Sequence, residues 1–392
     1  MMELITKRDK AERLKQLPPY LFVELDRAKR KLQSEGKDVI DLGVGDPDLP
    51  TPPHILQRLK TTAEDPQHHR YSFTEGIRPL RLAIAAWYRR RFQVDLDPDT
   101  EVLPLLGSKE GIGHLPLAVA NPGDVVLVPD PCYPPYRSGA VLAGAEPVLM
   151  PLVEENGFFP DLGGLSQKAV RRAALMFLNY PNNPTAAVAG AEQFEEAVAM
   201  AKEYGFSVAH DAAYSEIAFD GFQPASFLQV PDAKAVGIEF HSLSKTYQMT
   251  GWRIGWACGN ASQIAALSQL KMNLDSGIFQ PIQWAGIEAL EGDQEPLRQT
   301  VATYQQRRDL LVDGLNAAGW LVNKPKASLY LWTRVPTKES SMEFASRILQ
   351  QSHVVITPGI GFGPSGEGYV RMSLTMPTGR IQEAVQRLAE AL

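Results

Sequence analysis

Apolar positions along this chain follow two rhythms. From residue 101 onward, short and nearly continuous apolar runs alternate with stretches of helical periodicity. EVLPLLG precedes SKEGIGHLPLAVA, and DVVLVPD precedes YPPYRSGAVLAG. EPVLMPL, ALMFLNYP, a helix expected from about Ala191 to Tyr204, FSVAHDAAY and VGIEFHSLS then follow. Strands that are apolar at successive positions are buried on both faces; with helices between them they indicate βαβ units and a mostly parallel sheet. The expected fold class is therefore α/β: a large domain with a mostly parallel sheet flanked by helices, plus a smaller α+β domain. Ligands of such sheets bind beyond the carboxyl ends of the strands.

The flanking segments read differently. Residues 1–40 form an N-terminal arm, in which a charged stretch leads to Pro18-Pro19-Tyr20-Leu21-Phe22 and a helix over roughly 23–35 that stops near Gly36. Residues 38–52 read as a short strand entering a Gly/Pro/Asp loop, and a helix follows from about His54. Residues 70–92 are a loop and an amphipathic helix whose Arg89-Arg90-Arg91 end is solvated. RIGWACG (253–259) is one more strand, and a long helical region spans 261–315 with breaks expected at Pro281 and Gly292. Beyond residue 318, the strands ASLYLWTRV, VVITPG and GYVRMSL alternate with helices near 341–351 and 379–391. The expected division is 1–50 as the arm and part of the small domain, 51–300 as the large domain and 301–392 as the C-terminal small domain. No repeat, low-complexity tract or linker separates them.

Composition narrows the class. The 392 residues are 44% hydrophobic and 21% charged, as in an ordinary globular protein, with a net charge of −6. Nothing basic offers a field for nucleic acid, and no apolar run approaches a membrane span. The charged N-terminus does not read as a secretory signal, so cytoplasm is the expectation. The two cysteines, Cys132 and Cys258, match neither a metal-ligand spacing nor a disulfide framework. No metal is expected.

The candidate chemistry gathers around FHSLSKTYQMTGWRIGWACG (240–259). Lys245 lies between the hydroxyls of Ser242 and Ser244 and the guanidinium of Arg253. Hydroxyls donate to phosphate oxygens, and arginine grips them with a charged fork. A lysine amine beside an anchored phosphate describes a bound pyridoxal phosphate. Alone, Ser-x-Ser-Lys is equally an ordinary turn before a strand. Asp211, ending FSVAHD, would keep a pyridine nitrogen protonated, although helix N-capping accounts for such an aspartate as well. Tyr214 and Asn183 would donate to a phenolate-like ring oxygen, while NNP is also a plain turn. Gly107-Ser108-Lys109 opens a helix, where backbone N–H groups face an anion. Tyr133 would stack on a ring, and Arg371 would clamp an α-carboxylate; a packed loop aromatic and a surface arginine are their ordinary counterparts.

Together these pieces resemble the fold-type I pyridoxal-phosphate aminotransferases, the aspartate aminotransferase superfamily, across essentially the whole chain. NNPT, Asp-x-x-Tyr, Ser-x-Ser-Lys and GWRIG carry the resemblance, joined by PPYLFVELD, DLGVGDPDLP, HRYSFTEG, LGSKEGI, PDPCYPPY and ITPGIGFGPSGEGYVR. It implies that Lys245 condenses with the cofactor aldehyde and shuttles the proton. Asp211 would pair with the ring nitrogen, Asn183 and Tyr214 would bind the ring oxygen, and Tyr133 would stack. Ser108, Lys109, Ser242, Ser244 and Arg253 would hold the phosphate region, with Tyr71 reaching the phosphate of a neighbouring subunit in a homodimer. Arg371 would bind the substrate α-carboxylate, with Lys109, Tyr133 and Asn183 also near the substrate and Tyr20 and the Gly45 backbone lining its pocket. Within the superfamily the similarity is greatest to the branch that moves an amino group between LL-2,6-diaminopimelate and 2-oxoglutarate by a ping-pong reaction. Aspartate, alanine or methionine donors, C–S lysis, or a ligand-sensing module of a transcription regulator are the other readings. Ala186 stands where NNPTG has glycine, Cys132 where Gly or Ser is common, and Asp275-Ser276-Gly277 where the distal-pocket pattern has asparagine.

Overall fold

The computed structural model describes residues 10–17, 22–72 and 75–392, with side chains described from residue 26 onward in the helix that begins at Phe22. Tyr20 lies outside the described residues. Twelve strands occur among the described residues. They are β1 (Ile40–Asp41), β2 (Val102–Leu105), β3 (Val125–Asp130), β4 (Glu146–Pro151), β5 (Ala173–Asn179) and β6 (Ser207–Asp211). The second half holds β7 (Gly237–Ser242), β8 (Gly255–Gly259), β9 (Tyr330–Arg334), β10 (Val354–Val355), β11 (Thr357–Pro358) and β12 (Tyr369–Ser373).

The main sheet has seven strands in the order β2-β8-β7-β6-β5-β3-β4. β7, β6, β5, β3 and β4 run parallel, and β8 runs antiparallel to both of its neighbours. The continuous apolar runs account for this. Every residue of β3 is buried, and successive side chains serve opposite faces. Val125 and Leu127 pack in one core with Met176, Leu178 and Val208. Val126 and Val128 pack in another with Phe177, Ala209 and Phe240. Each such side chain gains about 1.5–3 kcal/mol from leaving water.

A third core joins the beginning of the described chain to its end: Ile40 and Leu42 pack with Leu311, Leu331, Ile356 and Leu388. β1 pairs in parallel with β10, with Ile40 opposite Val354, and β12 lies between β11 and β9 in an antiparallel sheet. The expected helix near 23–35 spans Phe22–Ser34. The 261–315 region divides into Ala261–Leu274, Gln280–Glu291 and Glu295–Ala317. Gly292 caps the second of these helices, but Pro281 sits in its first turn, where its missing N–H leaves no bond unmade. The break therefore precedes the proline, at residues 275–279.

One polar group in the parallel strands did not stand out from the apolar pattern. Glu239, at the centre of β7, is fully buried. Its Oε1 accepts from Tyr88 Oη and Ser226 Oγ, each at 2.8 Å, and lies 3.1 Å from His241 Nε2. Its Oε2 accepts from Phe227 N at 2.8 Å and lies 2.8 Å from His210 Nδ1. Burial alone would push this carboxyl up, but the bonds from His210 and His241 outweigh it and hold the group well below the usual carboxylate range. A depressed folded-state pKa contributes stability that is present above the unfolded value near 4.5 and lost as pH falls. Glu239→Gln should therefore lower stability at neutral pH by roughly 3 kcal/mol or more. In urea titrations the deficit should shrink below pH 4.5. An equal deficit at all pH values would contradict a charged Glu239.

Candidate active site

Three adjacent parallel strands deliver the central groups to one edge of the sheet. Asn179 ends β5, Asp211 ends β6 opposite it, and Ser242 ends β7 just before Lys245. A cavity of about 390 Å³ opens there. Ser108, Lys109, Ser242, Ser244 and Arg253 contribute to its wall, as do Tyr133, Asn183, Asp211, Tyr214 and Lys245. Every cofactor residue expected from the sequence, apart from Tyr71, lies on this one cavity.

Asp211 is buried, its Oδ2 accepting from Tyr136 Oη at 2.7 Å and its Oδ1 from Ala213 N at 3.2 Å. No helix follows it, so N-capping is not its role. Burial raises its carboxyl above the ordinary value, and the Tyr136 hydroxyl works in the opposite direction. Tyr136 was not recognised in the sequence, although it stands one helical turn beyond Tyr133 in YPPY. Asn179 was missed too: its Nδ2 donates to the Asp211 carbonyl at 2.7 Å, and its Oδ1 accepts from Asn183 N at 2.8 Å. These bonds tie NNPT to the Asp211 strand.

Anion-binding groups collect at the other end. Gly107, with φ +80°, leads into the helix Ser108–Val119, whose free N–H groups and dipole favour negative charge. Arg253 Nη1 donates to the Thr250 carbonyl at 2.8 Å and Nη2 to the Leu106 carbonyl at 3.3 Å. Ser242 Oγ accepts from Ser244 N at 3.2 Å, placing both hydroxyls in one tight turn. Glu110 Oε2 accepts from Leu106 N at 2.5 Å, and its Oε1 is held at 2.8 Å by the buried Lys271 ammonium. The loop before Ser108 is thereby fixed from both sides.

Lys245 Nζ donates to the Gly45 carbonyl at 3.0 Å. It also lines a second cavity of about 510 Å³ together with Gly45, Tyr133, Asn183, Tyr214 and Arg371. Arg371 is 5% exposed and so is not a surface arginine. Its Nη1 donates to Asn183 Oδ1 at 2.8 Å and its Nη2 to the Gly43 carbonyl at 2.7 Å. Its guanidinium lies 4.1 Å from the Tyr330 ring centroid and 4.7 Å from that of Phe362. Its buried Nε has no hydrogen-bond partner among the described residues. Tyr214 Oη and Tyr330 Oη are 3.0 Å apart.

Tyr71 stands outside both cavities, 89% exposed. Ala186 has φ +57°, the left-handed conformation that suits the glycine of NNPTG; the turn survives, with Ala186 N donating to the Asn182 carbonyl at 3.0 Å. Cys132 is a buried filler. Asp275 lines neither cavity: its Oδ1 accepts from Lys271 Nζ at 2.6 Å and from Gly277 N at 3.1 Å.

A carboxylate at one end, a cradle of hydroxyls, helix N–H groups and guanidinium at the other, and an amine on the wall fit pyridoxal phosphate. Comparisons with known proteins agree with that chemistry. The family model "Aminotransferase class I and II" matches residues 37–388. LL-diaminopimelate aminotransferase of Syntrophobacter fumaroxidans is 55% identical over 97% of this chain and 98% of its own. A substrate-bound BacF structure from Bacillus subtilis superposes with TM-score 0.94, at 40% identity over 98% of both chains. A double mutant of Thermus thermophilus aspartate aminotransferase superposes with TM-score 0.90, at 29% identity over 98% of this chain and 100% of that one.

Gly107 offers a direct test of the cradle. A Cβ there would lie 2.3 Å from Arg253 Nη2, and φ +80° is strained for any other residue. Gly107→Ala should weaken pyridoxal phosphate binding roughly tenfold or more, on the scale of about 1–2 kcal/mol of strain. Unchanged affinity in a spectroscopic titration would contradict the assignment of this loop.

Proposed function

The chain belongs to the class I and II aminotransferases, and from that premise we propose that it interconverts LL-2,6-diaminopimelate and 2-oxoglutarate with tetrahydrodipicolinate, glutamate and water. The observation that carries this reading is the position of Lys245 Nζ on the wall of both cavities, the one ending at Asp211 and the one holding Arg371. When bound, pyridoxal phosphate supplies the aldehyde carbon and electron-withdrawing ring through which an amino group changes hands.

The chain's residues do the rest. Asp211 keeps a proton on the ring nitrogen, and Tyr136 orients the carboxylate for that task. Asn183 Nδ2 and Tyr214 Oη donate to the ring oxygen, and Tyr133 packs against the ring. Ser108, Lys109, Ser242, Ser244 and Arg253 anchor the phosphate. Arg371 binds the substrate α-carboxylate, drawing on an Nε that has no partner among the described residues. Lys245 Nζ then takes the proton from the substrate Cα at close range. Fixed donors facing the charge that develops lower its cost without reorganisation. Gly45 and Tyr20 border the substrate.

The same cavity serves both half-reactions, as a ping-pong exchange requires. We read the protein as a cytoplasmic homodimer in which Tyr71 completes the neighbouring site. A large aromatic left 89% exposed supports the dimer, and two free buried thiols, Cys132 and Cys258, suit a reducing compartment. We read residues 51–300 as the cofactor-binding domain and 1–50 with 301–392 as the smaller one, connected through the helix Glu295–Ala317.

Amino donors compared by glutamate formation from 2-oxoglutarate test the reading. LL-diaminopimelate should be the best donor. Slow turnover of it beside rapid turnover of aspartate, alanine or methionine would move the assignment to another donor of the same family.

A further inference from the structure

Asp130, the last residue of β3, is 3% exposed and has no part in the roles above. Its Oδ2 accepts from Ser365 Oγ at 2.7 Å and from Ser365 N at 3.0 Å. Its buried Oδ1 has no hydrogen-bond partner among the described residues. A Cβ on Gly363, whose φ is +136°, would lie 1.8 Å from that oxygen, so only glycine lets the chain close on it. Burial raises the Asp130 carboxyl above its ordinary value, and the Ser365 bonds and the charge of Arg137 offset this only in part. A carboxyl raised by folding lowers stability once it ionises, so the fold gains nothing from this charge at neutral pH.

Asp130 stands where the main sheet grips the loop 359–366. Two residues on, Cys132 N donates to the Phe362 carbonyl at 2.9 Å, a second point of attachment. The loop is folded tightly on itself. Gly363 N donates to the Ile360 carbonyl at 3.2 Å and Gly366 N to the Gly363 carbonyl at 2.9 Å. A Cβ on Gly359 would lie 2.0 Å from the Gly366 carbonyl oxygen, so its two ends touch. A shift at Ser365 is therefore carried to Phe362. The Phe362 ring centroid lies 4.7 Å from the Arg371 guanidinium and 6.1 Å from the Trp332 ring, and Trp332 stands opposite Arg371 in the β9–β12 ladder. Phe362, Arg371 and Tyr133, three residues after Asp130, all line the larger cavity.

We infer that Asp130 is a positioning residue for the substrate α-carboxylate: its bonds to Ser365 latch the loop 359–366 to the end of β3 and so keep Phe362 packed on Arg371. The inference rests on Arg371 as the α-carboxylate ligand, as proposed above, and adds the group that keeps it aimed. Asn183 and Gly43 fix the two terminal nitrogens of Arg371, and Phe362 packs on its guanidinium. One short segment, 130–133, thus joins the tyrosine expected to stack on the cofactor ring to the loop behind the arginine.

Single half-reactions of the holoenzyme test this, with glutamate or 2-oxoglutarate as the only substrate and the cofactor absorbance as the signal. Each gives a limiting rate and a dissociation constant, and neither depends on which other donor the enzyme uses. Asp130→Ala removes the acceptor of both Ser365 bonds. We expect it to weaken both substrates by roughly tenfold, the worth of a hydrogen bond to a charged group, with little change in the limiting rate. Asp130→Asn keeps an acceptor without the charge, and Ser365→Ala removes one of the two donors. Each should weaken binding by about threefold, half the free energy, and they carry the test if Asp130→Ala does not fold. The Asp130→Asn urea midpoint at neutral pH should not fall. Unmoved dissociation constants would overturn the inference. So would a midpoint that falls in step with substrate binding, or cofactor affinity lost by the same factor, since either marks a structural strut. Arg371→Lys separates the two readings. If it too leaves both substrates unaffected, the α-carboxylate assignment fails; if it weakens them and the Asp130 and Ser365 variants do not, this inference alone fails.

Discussion

A single carboxylate in the core, Glu239, sets the relation between the strands that carry the chemistry. It bridges His210 of β6 and His241 of β7, the residues immediately before Asp211 and Ser242. Apolar packing fixes how far apart two parallel strands lie, but it is forgiving about small slips along them. A buried charge with five named partners is not forgiving, since any slip leaves it unsatisfied. Asp211 and the turn that carries Lys245 are thereby held at neighbouring strand ends.

From that edge outward, each group is positioned by one that does no chemistry itself. Tyr136 and Asn179 orient Asp211 and Asn183; Glu110 and Lys271 fix the loop before Ser108; Gly43 and Asn183 hold Arg371. The Arg371 bonds also cross between the chain's ends and its middle, so this buried arginine is part of what packs the small C-terminal sheet against the large one. A site assembled this way keeps its geometry ready before any substrate arrives.

Much of this was legible in the residues. The all-apolar runs foretold a sheet covered on both faces, and the groups following them, Asn183, Asp211 and Lys245, share one cavity because strand ends in a parallel sheet share one edge. Legibility ended where the deciding contact is non-local. Tyr136 meets Asp211 across 75 residues, and Lys271 meets Glu110 across 161, separations that no periodicity reveals. Glu239 hid in an apolar run because four of its five partners, Tyr88, His210, Ser226 and Phe227, lie outside its own strand. The break before Pro281 was placed late because proline fits the first turn of a helix as well as it ends one.

The central claim is that the amine at position 245 is the group that meets the cofactor aldehyde. Borohydride reduction of the protein mixed with pyridoxal phosphate, followed by peptide mapping, tests it most directly. One pyridoxyl group per chain should appear on the peptide carrying Lys245, and Lys245→Ala should carry none. Stoichiometric label on Lys109, Lys29 or any other lysine, with Lys245 unmodified, would contradict the account.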